Sequence, residues 1–101
     1  AEFVEQGETV SFPGNVDRVY YDAPDVLELR DAVPGKRERV LRIEKRGFPD
    51  AVVWNPGPEG TASRADFAPG DERKMVCVEA GAIREPVVLE PGAVWQGTQR
   101  V

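Results

Sequence analysis

Five of the nine prolines are followed directly by glycine, at Pro13-Gly14, Pro34-Gly35, Pro56-Gly57, Pro69-Gly70 and Pro91-Gly92. Proline presets φ for the first central position of a type II turn, and glycine accepts the positive φ of the second, so each pair is a turn signal. The pairs cut the chain into pieces of strand-and-return length. Between the cuts the apolar residues mostly alternate, which predicts strands near residues 9–12, 16–21, 26–30, 39–45, 51–54, 74–79, 86–89 and 94–101. Leu27-Glu28-Leu29-Arg30 and Leu41-Arg42-Ile43-Glu44 separate into an apolar face and a charged, wet face. Helical character is confined to residues 62–67 and the charged 71–74, a turn or two at most. About eight short strands without long periodic helices predict an all-β fold, an antiparallel β-sandwich or barrel.

A length of 101 residues is enough for one modest core, so residues 1–101 are read as a single β-sandwich domain or a fragment of one. No apolar run approaches the ~18 residues of a spanning helix, and a membrane partner is not expected. Thirteen basic against 18 acidic side chains leave a net charge of −5, and Lys36-Arg37-Glu38-Arg39 is interrupted by its own acid. Nucleic acid is therefore an unsuitable partner, since neutralising phosphates takes clustered cations. There is no histidine and one cysteine, Cys77. An internal disulfide, a Cys/His zinc site and a Ser-His-Asp or Cys-His pair are thereby excluded within these residues. The lone thiol fits a reducing, cytoplasmic setting. The first residues, Ala1, Glu2 and Phe3, show no secretory signal and fit a cloning remnant.

Met75-Val76-Cys77-Val78-Glu79 puts Val76 and Val78 on one strand face and Met75, Cys77 and Glu79 on the other. A carboxylate closing so apolar a strand is paired or functional if buried, because an isolated buried charge is costly or shifts its pKa upward, as suits a general base. The alternative places Glu79 just past the buried part, in water or paired with Arg84. In Val16-Asp17-Arg18-Val19-Tyr20-Tyr21, Asp17 shares a face with Val19 and Tyr21, over an aromatic floor or else satisfying a turn. Arg18 reads as the partner of a nearby acid. Trp54-Asn55-Pro56-Gly57-Pro58 offers an indole and an amide as the wall of a sugar site, or simply core. Trp95 reads as core, and Cys77 as a small buried hydrophobe.

In their order, Val16-Asp17-Arg18-Val19-Tyr20, Val52-Val53-Trp54-Asn55-Pro56-Gly57-Pro58, Asp66, Met75-Val76-Cys77-Val78-Glu79 and Pro86-Val87-Val88-Leu89-Glu90-Pro91-Gly92 resemble the C-terminal portion of hexose-6-phosphate 1-epimerases. These belong to the aldose 1-epimerase, galactose mutarotase-like superfamily, with proteins labelled apospory-associated protein C. The resemblance implies the last third of a β supersandwich and interconversion of the α and β anomers of a hexose 6-phosphate, with no metal or organic cofactor. It implies that Glu79 takes the proton from the C1 hydroxyl while a histidine protonates the ring oxygen; the ring opens, the C1–C2 bond rotates and the ring recloses. Asp17 matches an aspartate that binds sugar hydroxyls. The acid histidine and the phosphate-gripping arginines of the family lie in an N-terminal region that these residues do not contain, so the 101-residue chain is expected to be catalytically incomplete. Its strand edges are expected to self-associate or to pair with the missing part. The rival reading is a non-catalytic β-sandwich that binds carbohydrate or a protein partner.

Overall fold

The computed structural model describes residues 2, 4–7, 9–11, 14–32 and 35–101. Strands β1 (Val16–Tyr20), β2 (Val26–Asp31), β3 (Arg39–Arg46), β4 (Asp50–Asn55), β5 (Cys77–Gly81) and β6 (Thr98–Arg100) form two three-stranded antiparallel sheets, ordered β1-β4-β5 and β2-β3-β6. The fold is all-β, as expected. Among the described residues no helix is long and apolar enough to cross a membrane.

Four strands fall where the alternation predicts them, and the differences elsewhere have local causes. The expected strand at 74–79 begins only at Cys77, because Asp71–Arg73 winds into a 3-10 turn and Met75 and Val76 lead out of it. Residues 86–89 form no strand, since no neighbouring strand receives them and Pro86 has no N–H to donate. The expected 94–101 strand contracts to β6, the stretch that pairs with Glu44, Lys45 and Arg46. Of the expected 9–12 strand, residues 9–11 are not extended into a sheet, and Phe12 lies outside the described residues, as do Ala1, Phe3, Pro13 and Pro34.

The turn signals hold at Pro69-Gly70 and Pro91-Gly92, where glycine φ is 87° and 82° and Asp71 and Ala93 donate backbone bonds to Ala68 and Glu90. Pro56-Gly57 acts differently. It opens α1 (Gly57–Ala62), so the helical turn precedes the expected 62–67 stretch. Gly57 has φ of 68°, and a Cβ there would stand 2.7 Å from the Asn15 nitrogen, so only glycine fits.

Val16, Ile43 and Ala51 are buried, and so are Lys45, Asp50, Asn55 and Thr61. This centre is held by polar bonds as much as by apolar contact. Lys45, 1% exposed, donates from Nζ to the Ala23 and Phe48 carbonyls at 2.7 and 2.8 Å, and lies 3.4 Å from Asp25 Oδ1. Asp50, also 1% exposed, accepts from the backbone N–H groups of Asp22, Ile83 and Arg84 at 3.1, 2.8 and 2.9 Å. Together they fasten the β1–β2 turn, the β3–β4 corner and the segment after β5. Trp95 meets Phe48 edge to face, with centroids 5.1 Å apart.

The accessible surface is 8207 Å². A compact monomer of 11.1 kDa would show about 5,700 Å². The radius of gyration, 16.0 Å, likewise exceeds the ~13 Å of a compact domain this long. Val88 and Val94 are 81% and 83% exposed. The excess surface is larger than one partner's share of an ordinary protein interface, about 800 Å².

Candidate functional site

Register alone assembles the site. In the β1-β4-β5 sheet Asp17 stands opposite Trp54, and Trp54 opposite Cys77; two residues along, Val19 stands opposite Val52, and Val52 opposite Glu79. Directly opposed residues point to the same side, so Asp17, Val19, Val52, Trp54, Cys77 and Glu79 share one face. The other face carries the buried Val16, Ala51 and Asn55 and is the packed one. Asp17 and Glu79 flank β4 on the open face. Two strand spacings of ~4.8 Å and two residue rises of ~3.4 Å put their Cα atoms about 12 Å apart.

Both carboxylates are exposed, and among the described residues neither has an ion-pair or hydrogen-bond partner. Glu79 therefore stands past the half-buried Cys77 and Val78, as the second of the two sequence readings has it, but not against Arg84. That guanidinium lies 3.8 Å from Asp22 and 4.9 Å from the Tyr21 ring centroid. Arg18 does meet an acid, Glu5, at 3.6 Å. A concavity of about 540 Å³ is lined by Asp17, Val19, Tyr20, Tyr21 and Arg84, among others. A larger groove, about 970 Å³, runs elsewhere, along Leu29 and Leu41 of the other sheet and Met75 and Val76. Neither hollow includes Glu79. The open strand face, where the two unpaired carboxylates stand, is the better candidate because chemistry needs groups that are not already engaged.

Two expected wall residues have other engagements. Asn55 is 3% exposed and points into the packed face: its Nδ2 donates to the Glu72 and Met75 carbonyls, both at 2.8 Å, and its Oδ1 accepts from Gly57 N at 2.9 Å. Its amide is spent on bracing the loop. Trp54 remains on the open face, but the Arg64 guanidinium lies over its ring, 5.0 Å from the centroid.

Sequence reasoning missed Arg64, which carries no local signal, and also Lys45 and Asp50, because a buried ion looks like any surface charge in a hydropathy pattern. Burial pushes the Asp50 carboxyl up, but the N–H groups of Arg84, Ile83 and Asp22 and the Lys45 charge outweigh it and hold Asp50 below the ordinary carboxylate range. Its role is structural.

Two three-stranded antiparallel sheets, one with an open, carboxylate-bearing face, make this an all-β protein of the sandwich class. The model of the aldose 1-epimerase family matches residues 1–101, and the chain belongs to that family. A Cenchrus ciliaris protein named "Putative glucose-6-phosphate 1-epimerase" is 37% identical over 95 residues, 94% of this chain and 28% of that protein. An Escherichia coli (strain K12) protein of the same name is 29% identical over 75 residues, 74% of this chain and 24% of that protein. The chain thus spans about a quarter of the length of these relatives. No solved structure gives a significant match.

Proposed function

We propose that the chain supplies the base-bearing portion of a hexose-6-phosphate mutarotase site, Glu79 acting as general base and Asp17 as a ligand of sugar hydroxyls. The observation that carries this reading is the placement of two exposed, unpartnered carboxylates on one sheet face, either side of β4. Glu79 abstracts the C1 hydroxyl proton; as that oxygen becomes a carbonyl, the C1–ring-oxygen bond breaks, and the ring oxygen takes a proton from an acid. Rotation about C1–C2 and the reverse steps give the other anomer.

The resemblance makes that acid a histidine, and these residues contain none, so on this reading the acid is supplied from outside them. The excess accessible surface supports this arrangement, because it leaves room for further strands of a larger sandwich. Trp54 borders the substrate face, while Asn55 acts behind it by fixing the loop that follows Trp54.

In the intact protein, anomer exchange of glucose 6-phosphate measured by NMR tests the assignment. Glu79→Gln is expected to slow exchange by about 10²- to 10⁴-fold with folding intact, the usual worth of a positioned acid or base. Undiminished exchange would remove Glu79 from the role. Wild-type protein that binds the sugar without accelerating exchange would favour the non-catalytic binding module.

A further inference from the structure

The guanidinium on Trp54 is placed as a ligand. Arg64 follows the C-cap of α1, where Ser63 N donates to the Glu59 carbonyl at 3.1 Å and Arg64 N to the Thr61 carbonyl at 3.2 Å, so its backbone is anchored. Arg18, Arg30, Arg39, Arg42 and Arg84 each lie within ion-pair distance of a carboxylate. Among the described residues Arg64 has no such partner, and neither do Arg37, Arg46, Arg73 and Arg100; what sets Arg64 apart is its place over the Trp54 ring. An arginine held on an indole keeps the N–H donors at its edge available for a planar or tetrahedral oxyanion.

Its position matters as much as its availability. Trp54 stands opposite Asp17 and two residues, about 7 Å along β4, from the Val52 that faces Glu79. A face bearing two unpartnered carboxylates repels a phosphorylated sugar unless a cation there offsets them. We infer that Arg64 is a specificity-determining residue that contacts the phosphate of the substrate, with Trp54 as the platform that holds its guanidinium in place. This rests on the mutarotase reading of the Glu79 face and adds a phosphate contact from within these residues.

In the intact protein, Arg64→Ala and Arg64→Lys are compared for anomer exchange of glucose 6-phosphate and of unphosphorylated glucose. Arg64→Ala is expected to raise KM for the phosphorylated sugar about tenfold to a hundredfold, the worth of a charge-assisted hydrogen bond, while kcat and the constants for glucose stay within about twofold. Arg64→Lys restores part of the loss. A merely structural role would shift both sugars alike, and that result, or an unchanged KM for glucose 6-phosphate, overturns the inference. Titration of the intact protein with inorganic phosphate, read by isothermal titration calorimetry, gives an independent measure. A saturable heat that Arg64→Ala abolishes supports the site, and no binding heat in the wild type overturns it. If wild-type protein accelerates neither sugar, the mutarotase reading fails, and the phosphate titration alone decides Arg64.

Discussion

Replacing Asp50 with alanine removes a buried carboxylate that joins three stretches of chain. Oδ1 accepts from Asp22 N, and Oδ2 from Ile83 N and Arg84 N. Each of these part-buried N–H groups, stripped of its acceptor, costs up to about 1–3 kcal/mol. Lys45, itself buried, also loses the nearby negative charge. Part of the deficit returns through water, because Asp22 and Arg84 are exposed. The net loss is then about 3–5 kcal/mol, as when one member of a buried charge pair is deleted. Set against a total stability of about 5–15 kcal/mol, that is enough to unfold a small domain with so few buried apolar groups. Asp50→Asn keeps an acceptor for Ile83 and Arg84 but turns its NH₂ against Asp22 N–H, and is expected to cost about 1–3 kcal/mol. Urea unfolding of the intact protein, followed by tryptophan fluorescence, measures both, with Glu79→Gln as a control expected to stay within about 0.5 kcal/mol. Because the folded carboxyl is held below its ordinary range, its contribution is complete above the unfolded-state pKa of about 4 and is lost as pH falls through the lower, folded value. The gap between wild type and Asp50→Asn should therefore be constant at higher pH and close only below about pH 4. An Asp50→Ala loss under about 1 kcal/mol, or one no larger than that of Glu79→Gln, would refute the reasoning.

Gly57→Ala is expected to cost about 1–3 kcal/mol, because the residue is held at φ of 68° and its new Cβ would press on Asn15; an unchanged Tm would show that the loop relaxes freely. The 101-residue chain by itself is expected to gain apparent mass with concentration in light scattering, since its accessible surface exceeds that of a compact monomer. A monomer of 11.1 kDa at every concentration would contradict this.

Strand parity was legible wherever polar and apolar residues alternate. It put Asp17 with Val19, and Cys77 with Glu79, on common faces before any pairing was known, and it separated Leu27 and Leu29 from Glu28 and Arg30. Parity gives faces and not neighbours, so it leaves open that β4 lies between β1 and β5 and brings Asp17 and Glu79 to one surface. Nor does an apolar stretch such as Val87-Val88-Leu89 become a strand without a ladder to join. The burial of Lys45 and Asp50 was invisible for a related reason: what makes each tolerable is a set of backbone groups far along the chain, including Ala23 for the lysine and Ile83 for the aspartate.

Polar groups in this protein divide by whether the fold has already consumed them. Asn55 and Asp50 sit at opposite ends of β4, and each has its hydrogen-bonding capacity committed to backbone, which fixes that strand's entry and exit. With both ends pinned, β4 can carry Val52 and Trp54 rigidly between β1 and β5, and the carboxylates of Asp17 and Glu79 gain a stable separation without a bonding partner among the described residues. A base must keep its lone pairs free until a substrate arrives, and a site needs that base at a defined place. The committed residues provide the place, and the uncommitted ones remain available for chemistry. Arg64 joins the second group by the same criterion, since among the described residues its guanidinium rests on the face of an indole and has no hydrogen-bond or ion-pair partner.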